Sequence, residues 1–219
     1  MSKILFLLSI LLFAGFVVFS YLVSQEFYAQ FDFDMTVKLQ DKISRNWDLP
    51  FSILSLIGTL EVTGVIWFIL TILLLIRGWV LAGMTMILLP ISQALELFGK
   101  VFLLHPSPPF MFFRGTLPFN FPSGHVHTDY SYPSGHTIRT AFLVFLLIMF
   151  LERRATGILK RFIQISLLFF LTAMLVSRVY LGEHWATDVI GGFLLGASFG
   201  IITGLLIPQR ENFKIQKIV

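Results

Sequence analysis

The residues able to do chemistry in this chain gather in four short stretches. Gln93, Glu96 and Lys100 fall at i, i+3 and i+7, so a helix through them shows all three on one face. His136 precedes Arg139 by three residues, Arg178 stands alone, and His184 precedes Asp188 by four. Asp188 can accept the proton of one ring nitrogen of His184, which fixes the tautomer and leaves the other nitrogen as a nucleophile. His136 can protonate a departing alkoxide. Lys100 as a point charge and Arg178 as a planar fork suit phosphate oxygens. Ser134-Gly135-His136 opens a helix whose free N–H groups and dipole favour an anion, with Gly135 allowing close backbone approach. Two histidines with separate roles, a carboxylate and several cations describe phosphoryl transfer without a metal or other cofactor. The rival, a metal site, would want more histidines or carboxylates at ligand spacing, and zero cysteines remove thiolate ligands and thiol catalysis.

Something must hold these residues together, and composition says what kind of element does so. Of 219 residues 56% are hydrophobic and 13% charged, with 25 Phe and a mean hydropathy of +0.85. Soluble domains carry about 25% charged residues. The composition excludes a disordered chain, a nucleic-acid-binding domain and an ordinary soluble enzyme, and points to an integral membrane protein. A crossing helix needs about 20 mainly apolar residues, and six stretches qualify: Ile4–Val23, Phe51–Ile76, Trp79–Leu104, Thr137–Leu151 (the shortest), Phe162–Leu181 and Ala186–Ile207. The first is too long for a cleaved leader and lacks a small-residue cleavage site. The runs are solid apolar blocks, without the alternation of a barrel. The expected fold is all-α and polytopic, one membrane domain over 1–219 with its core in 50–207.

Orientation follows from Lys and Arg outside the spans. With both termini cytoplasmic, Lys3, Arg77, Arg153, Arg154, Lys160, Arg161, Arg210, Lys214 and Lys217 all fall inside, opposed by Glu152 and Glu211 alone. The long connections 24–50 and 105–136 then face the extracytoplasmic side. The stretch Phe31–Ile43 reads either as an interfacial helix or as a solvated loop. All four polar stretches arrive at the outer ends of their spans, so the expected site faces outward from the cell membrane.

The residues resemble the type 2 phosphatidic acid phosphatase family, whose pattern is K-x6-R-P, then P-S-G-H, then S-R-x5-H-x3-D. The third element is complete from Ser177-Arg178 through His184 to Asp188, and the second is Pro133-Ser134-Gly135-His136. In the first, Lys100 and Pro108 have the right spacing, but Ser107 stands where the family has Arg. The resemblance implies a helical membrane lipid phosphatase that needs no metal. In it His184 attacks phosphorus, Asp188 partners it, His136 is the general acid, and Lys100, Ser134, Gly135 and Arg178 cradle the phosphate. Arg139 is the expected source of the charge missing at Ser107, with Arg114 and His105 as alternatives.

Each residue also has a plainer reading. Lys100 and Arg139 could snorkel to headgroups, and Arg178 could anchor a helix rim. Asp188 could complement a helix dipole. Glu96 reads as the helical ion-pair partner of Lys100, Glu61 as a rim or interhelix partner, and Glu183 as a solvated group that tunes the local field. Pro122-Ser123-Gly124-His125 duplicates the second motif but leads into polar loop sequence, so His125 and His127 are expected to be loop residues. The expected substrate is a lipid phosphate or diphosphate, undecaprenyl diphosphate first and then phosphatidylglycerophosphate or phosphatidate. The alternatives are a catalytically silent lipid-binding or lipid-flipping member of the same fold, and a solute transporter, which lacks the expected repeat halves. Membrane lipids are the other expected contact; no nucleic acid and no protein partner can be read from the residues.

Overall fold

The structure, a computed structural model, describes residues 2–117, 122 and 130–209. Among them there is no strand. Helices α1 (Ser2–Ser24), α2 (Ala29–Lys42), α3 (Asp48–Ile57), α4 (Leu60–Ile76), α5 (Val80–Thr85), α6 (Leu88–Phe102), α7 (Gly135–Arg154), α8 (Ile158–Tyr180) and α9 (Ala186–Leu205) follow in order. Five stretches are long and apolar enough to cross a membrane, with α5 and α6 counted as one, and a sixth is added if α3 and α4 form one span. The stretch read as a single second span is therefore broken. Thr59 caps α4 through its hydroxyl, which accepts from the Val62 amide, and the two helices meet at 41°.

The centre of the bundle is α9 against α7. Gly192, Gly196, Gly200 and Gly204 recur every four residues and form one bare stripe along α9. A Cβ at Gly196 would lie 2.3 Å from the Ile138 carbonyl oxygen, and one at Gly200 2.5 Å from that of Phe142. In lipid, where apolar surface gains little from meeting apolar surface, this close backbone approach is what holds helices together. On the other flank of α9 lies α1, where the Ser198 hydroxyl donates to the Ser9 carbonyl at 2.8 Å.

Of the two readings of Phe31–Ile43, the helix is the one that forms, as α2, and it packs against α8 and α9. Asp32 and Thr36 are its buried residues, while Phe31 and Phe33 stay exposed. The second long connection is pinned over the same end of the bundle. Trp185 Nε1 donates to the Pro106 carbonyl, the Arg114 amide to that of Leu181, and the Thr116 amide to Ser52 Oγ. The duplicated motif with His125 and His127, Pro122 apart, and three of the cations expected on the cytoplasmic side, Arg210, Lys214 and Lys217, lie outside the described residues.

Candidate active site

The third motif folds as the last turns of α8, a tight turn, and the first turn of α9. Gly182 makes the turn possible twice over: its φ is +67°, and a Cβ there would lie 2.2 Å from the Phe112 carbonyl oxygen. The turn sets His184 above α9, with Nδ1 3.1 Å from Asp188 Oδ2. The same Oδ2 accepts the Trp185 amide at 2.9 Å, so one carboxylate oxygen both caps the helix and orients the imidazole. His184 is 8% exposed and Asp188 fully buried. Burial, together with the nearby charges of Lys100 and Arg178, holds the His184 imidazole neutral well below the ordinary histidine range. With Nδ1 committed, Nε2 is the nitrogen left to react.

Arg178 is fully buried, contacting Ser55 Oγ through Nη1 and Glu183 through Nη2. Its Nε finds no hydrogen-bond partner among the described residues. A buried guanidinium with a donor to spare is costly by itself and suits an anion that arrives later. Glu183, read from sequence as solvated, is therefore the ion partner of Arg178; nothing in local spacing marks a pair made across the α8–α9 turn.

The second motif opens α7. The Ser134 amide donates to the Asp188 carbonyl at 3.0 Å, which ties the start of α7 to the first turn of α9. Ser134 Oγ accepts from Thr137 Oγ1 at 3.2 Å and makes no cap hydrogen bond to the α7 amides. Those amides form the positive end of the helix, where an anion is favoured. His136 is half-buried, within electrostatic reach of His184, Arg178 and Lys100. Its ring lies against Gly58 at the α3–α4 break, where a Cβ would come within 2.9 Å of Cδ2. The break thus provides the space the second histidine occupies, a relation the sequence does not display.

Lys100 Nζ donates to Glu96 Oε1 at 2.8 Å, and the Glu96 carboxylate lies over Gly135, where a Cβ would meet Oε1 at 2.1 Å. Arg139 stands on the other side of that carboxylate. Its Nε and Nη2 donate to the Gly58 carbonyl at 3.2 and 3.0 Å, and Nη1 to Gln93 Oε1 at 2.6 Å, with Glu96 Oε2 3.4 Å away. Arg139 is thus beside the site with its donors on protein acceptors. Arg114 is placed elsewhere, over the Tyr180 ring and donating to the Gln40 carbonyl. His105 lies behind Asp188, with Nε2 3.3 Å from Oδ1. Ser107 lines a cavity of about 280 Å³ together with Asp32, His105 and Trp185.

Fold and site together define a helical membrane protein with a carboxylate-oriented histidine beside a buried guanidinium, a lysine and a helix N-terminus. Residues 78–211 match the PAP2 superfamily, and the chain belongs to that family. Over 71 residues it is 38% identical to phosphatidylglycerophosphatase B of Bacillus subtilis, covering 32% of this chain and 35% of that one. Over 96 residues it is 34% identical to an undecaprenyl-diphosphatase of Sulfolobus acidocaldarius, covering 42% and 41%. The matched segments thus span well under half the length of these relatives. In fold it is similar to the crystal structure of a transmembrane PAP2-type phosphatidylglycerolphosphate phosphatase from Bacillus subtilis, with a TM-score of 0.64, 20% identity and coverage of 89% and 93%. LpxE of Aquifex aeolicus follows at 0.57, 22% identity and coverage of 79% and 94%.

Proposed function

We propose that this protein is a membrane phosphatase that removes the terminal phosphate of a lipid phosphate or diphosphate through a phosphohistidine. The observation that carries the reading is the pairing of a buried guanidinium with an unpartnered Nε and a neutral imidazole whose Nδ1 is held by Asp188. In the first step His184 Nε2 forms a bond to phosphorus while the bond to the leaving oxygen breaks. His136, in its protonated form, gives that oxygen a proton. Asp188 stabilises the positive charge that develops on the His184 ring. In the second step His136 takes a proton from water, the hydroxide attacks phosphorus, and the bond to Nε2 breaks. Lys100, Arg178, the Ser134 hydroxyl and the α7 amides at Gly135 and His136 hold the equatorial oxygens, where the charge of the transferring group spreads. Arg139 contributes its charge to this cradle rather than its donors, which are spent on Gly58 and Gln93.

The Lys and Arg distribution supports six spans with both termini cytoplasmic and the cradle at the outer leaflet. An outward cradle fits undecaprenyl diphosphate first and phosphatidylglycerophosphate or phosphatidate next, and two of these correspond to the names of relatives. The test is phosphate release by detergent-purified protein from short-chain forms of the three lipids, side by side, in excess chelator. Release from at least one, faster than from a soluble phosphomonoester, is the expected result. Strict dependence on an added divalent ion would overturn the metal-free mechanism. No release from any lipid by folded protein would favour a silent lipid-binding or lipid-flipping protein.

A further inference from the structure

Asp188 has a second oxygen, and what it faces is not part of the chemistry so far described. His105 Nε2 lies 3.3 Å from Asp188 Oδ1, 3.1 Å from Thr187 Oγ1 and 3.7 Å from Asp32 Oδ2. The partners determine where the proton is. Thr187 Oγ1 gives its single proton to Asp32 Oδ2 at 2.6 Å, so towards His105 it can only accept. The two carboxylates accept as well, so Nε2 must carry an N–H. Asp32 in turn is fixed by the first turn of α9, because its Oδ1 accepts the Thr187 amide at 2.8 Å. The His105 backbone is fixed too: its carbonyl accepts from the Ser131 amide at 3.0 Å and the Ser131 hydroxyl at 3.2 Å. Asp32 and Asp188 are 1% and 0% exposed, and two carboxylates buried this close need a donor between them.

We propose that His105 is a positioning residue: its Nε2–H bonds to Thr187 Oγ1 and keeps its positive edge 3.3 Å from Asp188 Oδ1, an oxygen with no hydrogen-bond partner among the described residues, so that this electrostatic contact holds the carboxylate with Oδ2 aimed at His184 Nδ1. The inference rests on the phosphatase reading above for its effect on rate, but not for its geometry. Burial pushes the Asp32 carboxyl up to about 6 and lowers His105, with the Asp188 charge pulling His105 back. The lowering of His105 agrees with a neutral ring whose single N–H is the one at Nε2. The proposal also gives α2 a task, since α2 carries Asp32 to the back of the site.

The test compares two amides in the full-length purified protein. In His105→Gln the side-chain nitrogen reaches the place of Nε2, whereas in His105→Asn it stops one methylene short. The first readout is the downfield ring N–H proton resonance of His184, assigned by its absence in His184→Ala. It should persist in His105→Gln and be lost or shifted in His105→Asn. The second is turnover of lipid phosphate: kcat of His105→Asn should fall about tenfold below that of His105→Gln, as expected when a buried carboxylate loses the dipole that faces it. KM should differ by less than about threefold, because ground-state binding is untouched. Asp32→Asn keeps the shape and removes the charge, and should shift the same resonance. An unchanged resonance in His105→Asn overturns the proposal whatever its rate; if that variant does not fold, an unchanged resonance in Asp32→Asn does so. If the wild type releases no phosphate from any lipid, the phosphatase reading fails, and the resonances still decide the positioning role.

Discussion

Asp188 Oδ2 accepts from both His184 Nδ1 and the Trp185 amide, which makes one carboxylate serve helix and site together. The same economy recurs at Glu96, which pairs with Lys100 and lies 3.4 Å from Arg139 while resting on Gly135. In this arrangement Arg139 restrains the carboxylate that restrains Lys100. Without the guanidinium, Glu96 would be freer to hold Lys100 away from an incoming phosphate, and the Gly58 carbonyl would lose both donors. Arg139→Ala should therefore lower kcat/KM by about tenfold or more, within the range for losing electrostatic support of a charged transition state. Tungstate inhibition should weaken in parallel. A fully active Arg139→Ala would show that this buried charge, tied to Gly58 and Gln93, does no more than join the helices.

At the scale of elements, the α9 glycine stripe sets the distance between the second and third motifs, because α7 and α9 each begin with one of them. Gly196→Ala forces a Cβ to within 2.3 Å of a carbonyl oxygen, an overpacking that costs about 1–3 kcal/mol. Gly15→Ala on α1 meets nothing within 4 Å and should gain from helix propensity, by about 0.5–1 kcal/mol. Thermal unfolding in detergent should therefore show a lower Tm for the first and an equal or higher Tm for the second. Equal Tm values would contradict close α7–α9 packing.

The same elements show how much was legible in the chain. His184 and Asp188 at four-residue spacing, and Glu96 with Lys100, were readable because a helix brings such residues together on its own. The α3–α4 break was only weakly marked: Gly58, the cap Thr59 and the first-turn acid Glu61 are all there, but they sit in an otherwise apolar run long enough for one span, with no proline to end α3. The His105–Asp32 cluster was hidden for another reason: its members come from α2, the connection after α6, and α9. No local period reports contacts of that range. Glu183 looked solvated because its partner Arg178 lies across a turn that only Gly182 permits.

For the molecule as a whole, the account needs the cradle at one membrane face and the basic connections at the other. The chain has no cysteine, so single cysteines can report topology directly. A membrane-impermeant maleimide should label Gln30→Cys on intact cells and Arg161→Cys only after lysis, since both positions are exposed in the fold. The opposite pattern would turn the site inward and change the accessible lipid pool. The central claim, a lipid phosphatase working through His184, is tested most directly by trapping the covalent intermediate. Purified protein mixed with a lipid carrying a radioactive terminal phosphate and quenched within one turnover should carry label that is stable to alkali and labile to acid, and His184→Ala should carry none. Label that persists in His184→Ala, or phosphate release by the wild type with no labelled protein at any time, would contradict the account.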